Sequence, residues 1–135
     1  NYYKMFPEHH FAFVRIQSEI FSVQEAIQIN QDYKSDKSYS DIFYLLIMVD
    51  EGTTPGFTTK DLQRLSHIYA NEFQTNNHKK VVWLVSKPFI TAMTHLFVSY
   101  TNNDLYCSTL EGAYDLLHLP MKYEEFINLI QFPER

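Results

Sequence analysis

Hydrophobic and polar positions along the chain predict strands and helices in alternation. Residues 11–17 place apolar side chains close to every second position, and this period of two is typical of a strand. Ser22 and Glu25 follow with the spacing of a capping box, which marks the start of a helix. The helical pattern ends near Tyr33, and the polar, serine-rich residues 34–40 predict a surface loop.

Two continuous apolar runs predict buried strands. Residues 42–49 are apolar on both faces and end in Asp50, a pattern typical of a central strand with helices on both sides. Residues 81–85 repeat this pattern, and residues 104–108 form a shorter segment with the character of an edge strand. Together with residues 11–17, these segments give four predicted strands.

Amphipathic helices are predicted after these strands. Thr58 or Thr59 can cap the helix that follows the second strand, and Asp61 carries the charge that stabilises a helix amino terminus. Apolar side chains then recur at helical spacing, which indicates that one face packs against the sheet. Further helices are predicted at residues 87–100, 109–117 and 123–130.

The order of these elements predicts the fold class. A strand followed by a helix, four times over and with one added helix, favours a layered α/β fold with parallel strands and right-handed crossovers. Every loop is short, no internal repeat is present, and no shift in composition divides the chain. We therefore expect a single domain over residues 1–135.

Composition excludes several classes of protein. The chain is 45% hydrophobic and 16% aromatic, which is enough for a core rich in rings. Its net charge of −5 argues against binding to nucleic acid, and no apolar run approaches the roughly 20 residues that a membrane span needs. The single cysteine, Cys107, excludes an internal disulfide and is compatible with a reducing compartment. We therefore expect a cytoplasmic protein.

The residues that carry chemistry form no catalytic or metal-binding pattern. The six histidines contain no HExxH pair, and Cys107 alone cannot supply a zinc half-site. The glycine-bearing loop at residues 52–56 lacks the GxxxxGK(S/T) pattern of a phosphate-binding loop, and no GxSxG motif is present. We therefore predict a non-enzymatic protein with no catalytic residue, no metal and no cofactor.

Two places remain candidates for function. Asp50 ends a central strand, where ligand sites of α/β proteins form, although an aspartate at this position can also cap the local turn. The loop after it contains two of the three glycines of the chain. The second place is a set of large apolar side chains at helical spacing, which form either core or a pocket for an apolar ligand. This set comprises Tyr69, Phe73, Met93, Phe97 and Tyr100.

Three stretches carry a family resemblance. They are Met48-Val49-Asp50 with residues 58–65 after the loop, residues 81–86 with residues 92–97, and residues 106–117. Together they resemble the SpoIIAA-like branch of the STAS-like fold, the family of anti-sigma-factor antagonists, which is related to CRAL-TRIO lipid-binding domains. The resemblance implies a four-turn β-α superhelix with a mostly parallel or mixed sheet. It covers a core at about residues 10–119 and leaves residues 121–131 as a helical extension.

The resemblance implies a bacterial regulatory or protein-interaction module. In anti-sigma-factor antagonists, a serine at the start of the helix after the Asp-ended strand is phosphorylated, and the added charge blocks docking of a partner. Here that region offers Thr58 and Thr59, but the Asp-Ser-Ser-Gly motif is missing. The partner-binding or switch candidates are Asp50, Gly52, Thr54, Gly56, Thr58 and Thr59.

Two alternatives remain open. Kinship to CRAL-TRIO domains implies a carrier of a small apolar ligand or lipid, held in an aromatic cavity built from the set between Tyr69 and Tyr100. The final helix, after Pro120, either packs on its own domain or forms a homodimer contact.

Overall fold

The chain folds into a mixed sheet with helices on both faces. The structure is a computed structural model that describes residues 1–56, 58, 60–61, 63–64, 79–85 and 104–131. The strands in this part are β1 (Tyr2–Phe6), β2 (Phe11–Ile16), β3 (Ile20–Phe21), β4 (Tyr44–Val49), β5 (Thr54–Pro55), β6 (Lys80–Leu84) and β7 (Asp104–Cys107). The helices with both ends in this part are α1 (Val23–Ser35), α2 (Leu110–Leu117) and α3 (Tyr123–Gln131).

Five of these strands form the main sheet, in the order β1-β2-β4-β6-β7. Strands β2, β4, β6 and β7 are parallel neighbours in chain order, with Leu46 of β4 beside Phe13 of β2 and Val82 of β6. The predicted α/β class with parallel strands is therefore confirmed, and the apolar run of β4 occupies the centre of the sheet as expected. The short β7 lies at the edge of the sheet within the described residues.

Strand β1 was not predicted from the hydrophobic pattern. It pairs antiparallel with β2, with Lys4 beside Phe13, and makes the sheet mixed instead of purely parallel. A short turn at Pro7–His9 joins the two strands, and His10 reverses the chain with a left-handed φ of 55°. The pairing of β1 depends on this reversal, because its half-buried side chains alone give no clear period.

Both faces of the sheet are covered. Successive side chains of a strand point to opposite faces, so the four buried residues Phe11–Val14 of β2 contribute to two separate clusters. One cluster joins the sheet to α2 and α3, and it contains Phe11, Phe13, Leu46, Met48, Val82, Ala113, Leu117, Leu119, Phe126 and Ile130. The other joins the sheet to α1, and it contains Ala12, Val14, Ile16, Tyr33, Ile42 and Leu45.

Helix α1 begins at the predicted capping box. The Ser22 hydroxyl accepts a hydrogen bond from the Glu25 backbone amide at 3.1 Å, and the Glu25 carboxylate accepts one from the Ser22 amide at 3.2 Å. The helix continues to Ser35, two residues beyond the predicted end, because Tyr33 is buried between Tyr3 and Tyr39. The prediction of this helix is confirmed, with a small error at its end.

Helices α2 and α3 also match their predicted positions. Thr109 caps α2, where its hydroxyl accepts a hydrogen bond from the Gly112 amide at 3.0 Å. Helix α3 buries Phe126 and Ile130 against the sheet, so the final helix packs on its own fold. Its exposed side chains are Glu124, Glu125, Asn128 and Gln131. The predicted helix at residues 87–100 lies outside the described residues.

Candidate functional site

A pocket of 680 Å³ opens at the edge of the sheet where the parallel strands end. The carboxyl ends of β2, β4 and β6 and the residue after β7 all contribute to its wall, together with the start of α2 and the end of α3. Its apolar lining consists of Met48, Val49, Leu84, Leu110 and Ile130. Its polar lining consists of Arg15, Asp50, Glu51, Ser108 and Gln131. This is the edge at which α/β proteins place their ligands.

An ion pair lies at the wall of the pocket. The Arg15 Nε donates to the Asp50 Oδ1 at 3.2 Å, and both side chains are about one-third exposed, at 31% and 34%. Exposed pairs of this kind contribute little to stability, about 0–1 kcal/mol. The contact therefore serves mainly to fix the direction of the Arg15 guanidinium at the pocket.

The Asp50 side chain and the Asp50 backbone have different partners. The backbone amide donates to the Ile16 carbonyl at 2.9 Å, and the backbone carbonyl accepts from the Thr53 amide at 3.0 Å. The carboxylate bonds to Arg15 and makes no bond to the turn. The side chain therefore lies at the pocket, while the backbone forms the turn.

The loop at residues 50–56, called the Asp50 loop below, is fixed by a second, small sheet. Strand β5 of the loop pairs in parallel with β3, with Thr54 beside Ile20. The Thr54 amide and hydroxyl both donate to the Glu19 carbonyl, at 2.8 and 3.0 Å, and the Gly56 amide donates to the Phe21 carbonyl at 2.8 Å. Ile20 itself remains 60% exposed. The loop therefore has a defined conformation, and β3 beside it exposes the apolar side chain of Ile20.

The two glycines of this loop have different surroundings. A Cβ atom at Gly56 would lie 2.6 Å from the Cγ2 atom of Ile20, so this position has no room for a side chain in the present arrangement. A Cβ atom at Gly52 would meet no heavy atom within 4 Å. Close approach of β3 therefore explains Gly56, whereas Gly52 is an exposed position open to solvent.

Thr58 occupies the start of the next helix. Its hydroxyl accepts a hydrogen bond from the Asp61 amide at 3.2 Å, and the Asp61 carboxylate accepts one from the Thr58 amide at 3.0 Å. The described residues Lys60, Asp61, Gln63 and Arg64 that follow are helical. The predicted cap is therefore confirmed at Thr58, while the alternative position Thr59 lies outside the described residues.

The candidate apolar pocket cannot be placed on the described part of the chain. All five of its residues, Tyr69, Phe73, Met93, Phe97 and Tyr100, lie outside the described residues. Within the described part, the core between the sheet and the last two helices is filled by rings, and Phe11, Phe13 and Phe126 have no exposed surface. The pocket at the carboxyl ends of the strands is lined by other residues and is not this candidate apolar pocket.

Three residues of the site were missed from the sequence. Arg15 is the one charged residue of β2, and a charge next to the end of a buried strand is a signal that could have marked it. Ser108 follows the edge strand in the same way that Asp50 follows the central one. Ile20 gives no signal in the sequence, because its exposure results from the pairing of β3 with β5.

Two further observations concern reactive groups in the described part of the chain. Burial raises the pKa of the Cys107 thiol, and its Sγ atom lies 3.7 Å from the Trp83 carbonyl oxygen, as in a packed and inert cysteine. Within the described ranges, no three histidine, cysteine or acidic side chains are grouped closely enough to hold a metal ion. Of the helices described, none has the length and apolar character required to cross a bilayer.

Fold and site together define a class: an α/β protein with a mixed five-stranded sheet and a polar-rimmed pocket at the carboxyl ends of its parallel strands. Comparison with known proteins adds no relative, since no family model, no curated protein and no solved structure matches the chain. The α/β class therefore rests on the sheet topology, and the STAS-like assignment stays a prediction.

Proposed function

We propose that the chain is a non-enzymatic, STAS-like interaction module that binds a partner protein through the Asp50 loop and the adjoining Ile20. One observation carries this proposal: the loop is held in one conformation by β3, and Ile20 of β3 beside it is apolar and 60% exposed. An apolar side chain on a fixed backbone is suited to enter a pocket on a partner protein.

The fixed backbone favours binding because little entropy remains to be lost. Hydrogen bonds from Thr54 and Gly56 to the β3 segment already order the loop before a partner arrives. Binding of a loop ordered in advance avoids the cost of immobilising it, which weakens many interfaces formed by loops. The Asp50 loop therefore suits recognition better than a loop without such bonds.

The charges around Ile20 indicate the chemistry of the partner. Glu19, directly before β3, and Glu51, three residues before β5, are both exposed, and the whole chain has a net charge of −5. Complementary charge increases the association rate and suppresses incorrect partners. We expect a partner surface with an apolar socket for Ile20 and with basic side chains around it.

The topology supports the STAS-like part of the proposal. Strands β2, β4, β6 and β7 follow each other in chain order and in parallel, as four turns of a β-α superhelix would. Thr58 caps the helix after the Asp-ended strand, which is the place of the phosphorylated serine in the resembled family. Phosphate on Thr58 would stand beside the Asp61 carboxylate and would disturb the cap by repulsion between like charges.

Site-directed photo-crosslinking tests the proposal. A benzoylphenylalanine at Gly52 or Glu51, both exposed, is expected to capture the same protein in cells. The matched control carries the probe at Lys122, an exposed residue directly before α3, whose other end lines the pocket. The captured protein, once purified, should bind the unmodified chain and should lose about tenfold or more in affinity for Ile20→Asp.

Two results would contradict this function. One is a set of captured proteins that is the same for the probe at Gly52 and for the probe at Lys122, because capture would then be unspecific. The other is unchanged affinity of the purified partner for Ile20→Asp, which would remove the surface from the interface.

A further inference from the structure

The pocket at the carboxyl ends of the strands shares Asp50 and Glu51 with the Asp50 loop but does not include Ile20, and it has the size of a small-molecule site. Its volume of 680 Å³ lies within the range of about 300–1,000 Å³ that is usual for ligand pockets. One end each of α2 and α3 bounds the pocket, and Ile20 does not line it. Nothing assigned to the chain so far uses this pocket.

The inner wall of the pocket is aliphatic. Met48 and Ile130 are almost fully buried, at 7% and 2% exposure, and Leu84 and Leu110 are half-buried beside them. These four side chains belong to the sheet and to both helices on that face, so their positions are fixed by the core. Such a wall favours a branched or straight aliphatic group, because burial of each CH₂ contributes about 0.8 kcal/mol.

One side of the pocket provides positive charge. The Arg15 guanidinium uses its Nε for Asp50, and its two terminal amino groups have no hydrogen bond within the described part of the chain. Two such parallel donors match the two oxygens of a carboxylate. Leu110 is the first residue of α2, so the amino end of this helix also faces the site with partial positive charge.

The opposite charge is present in the same pocket. Asp50 gives only its Oδ1 to Arg15, so its second oxygen is unused among the described residues, and Glu51 is an exposed carboxylate beside it. Ile130 and Gln131 end α3, where the last backbone carbonyls carry partial negative charge. These groups favour an ammonium group.

The ligand must therefore carry both charges. A ligand with a carboxylate alone would be attracted by Arg15 but repelled by Asp50 and Glu51. A ligand with an amine alone would be attracted by the two acids but repelled by Arg15, so in both cases repulsion cancels part of the favourable electrostatic energy. We propose that the pocket binds a zwitterion of the aliphatic α-amino acid class. Its carboxylate contacts Arg15, its ammonium contacts Asp50 and Glu51, and its side chain contacts the aliphatic wall. This inference does not require the partner-binding function, although both proposals involve Asp50 and Glu51.

A titration followed by NMR of the ¹⁵N-labelled chain tests the proposal with three related probes. These are leucine, 4-methylpentanoate, which lacks the ammonium, and 3-methylbutylamine, which lacks the carboxylate. Leucine is expected to bind at least about tenfold more tightly than either analogue. Its shifts should centre on the amides of Asp50, Ser108, Leu110 and Gln131.

Substitutions then assign the two charges. Arg15→Gln should weaken the binding of leucine about tenfold and should strengthen that of 3-methylbutylamine, because it removes a like charge. Glu51→Gln should weaken the binding of leucine and should strengthen that of 4-methylpentanoate for the same reason. The matched control is Lys37→Gln, an exposed cation in the loop after α1, which should bind leucine like the unmodified chain. Because Arg15 and Glu51 lie at the surface of the pocket, these variants should retain the folded spectrum.

Four results would overturn the proposal. They are equal binding of leucine and one of its analogues, no binding of leucine at millimolar concentration, shifts outside the pocket, and unchanged leucine binding in Arg15→Gln. Ile20→Asp should bind leucine normally, so failure of the partner surface and failure of the pocket give different results.

Discussion

Gly52 and Gly56 lie in the same loop, yet only one of them requires glycine. Neither has a positive φ, so the backbone would accept alanine at both positions. At Gly56, however, the new methyl group would lie 2.6 Å from Ile20 Cγ2, whereas at Gly52 it would be in open space. The difference in stability between alanine at Gly56 and alanine at Gly52 therefore reports how closely the loop packs against β3.

Alanine at these two positions gives a matched test. Gly56→Ala is expected to lower the free energy of unfolding by about 1 kcal/mol, because the Ile20 side chain must move to admit the methyl group. Gly52→Ala should leave stability unchanged or raise it by about 0.4–1 kcal/mol, since it only restricts the unfolded chain. Urea denaturation measures both. Equal effects of the two substitutions would contradict the packing, and Ile20→Ala in the Gly56→Ala background should restore the loss.

The residues of the pocket show what a sequence can and cannot reveal at this scale. Asp50 was predicted because it ends an apolar run, and the position after a central strand is marked in the sequence itself. Its partner Arg15 was not predicted, because their contact depends on the register that sets Arg15 beside Met48. Ser108 and Gln131 line the pocket from distant parts of the chain, and no local sequence pattern predicts that they lie close together.

Helix α1 shows how far local signals determine an element. Ser22 and Glu25 form both hydrogen bonds that their spacing predicts, and the same arrangement recurs at Thr58 and Asp61. Strand β1 lacks such a signal, because its place depends on the left-handed turn at His10 and on pairing with β2. Elements with local caps and clear periods were therefore predictable, and the strand defined by its partner was not.

The cap of α1 should contribute stability that depends on pH. Ser22→Ala is expected to cost about 1 kcal/mol near neutral pH, because the Glu25 amide loses its acceptor. The hydrogen bond from the Ser22 backbone amide lowers the pKa of Glu25 below its ordinary value of 4.5. A carboxylate with a lowered pKa stabilises the fold fully above its ordinary pKa, and this part is lost as pH falls through the lowered value.

Thermal unfolding between pH 7 and pH 3 measures this effect. The unmodified chain and Ser35→Ala, an exposed serine at the end of the same helix, should both lose stability toward acid. Glu25→Gln should show a smaller loss over the same range, because it removes the titrating group. An identical pH dependence in Glu25→Gln and the unmodified chain would exclude the cap as its source.

At the scale of the whole molecule, α3 closes one face of the sheet. Phe126 has no exposed surface and contacts the ring of Phe11 at a centroid distance of 6.0 Å, while Ile130 is buried one turn further along. The helix thus belongs to the core, which is one of the two alternatives that the sequence left open for it. The family resemblance ends at about residue 119 and gave no information on this contribution, which arises from the apolar face of the helix.

Phe126→Ala should therefore lower the free energy of unfolding by about 3–5 kcal/mol through the cavity that it leaves. Phe126→Leu fills part of that cavity and should cost less. Asn128→Ala, on the exposed side of the same helix, should change stability by no more than about 0.5 kcal/mol. Denaturation curves compare the three. A small effect of Phe126→Ala, similar to that of Asn128→Ala, would show that α3 does not stabilise the core.

The small sheet of β3 and β5 links the starts of two helices. Strand β3 runs directly into the Ser22 cap, and β5 leads within a few residues to the Thr58 cap, while the Gly56 amide bonds to the Phe21 carbonyl between them. Opening of one helix start would therefore loosen the other, so the two ends should fray as one cooperative unit. A charge added at Thr58 would then also weaken the amino end of α1, which is a different helix.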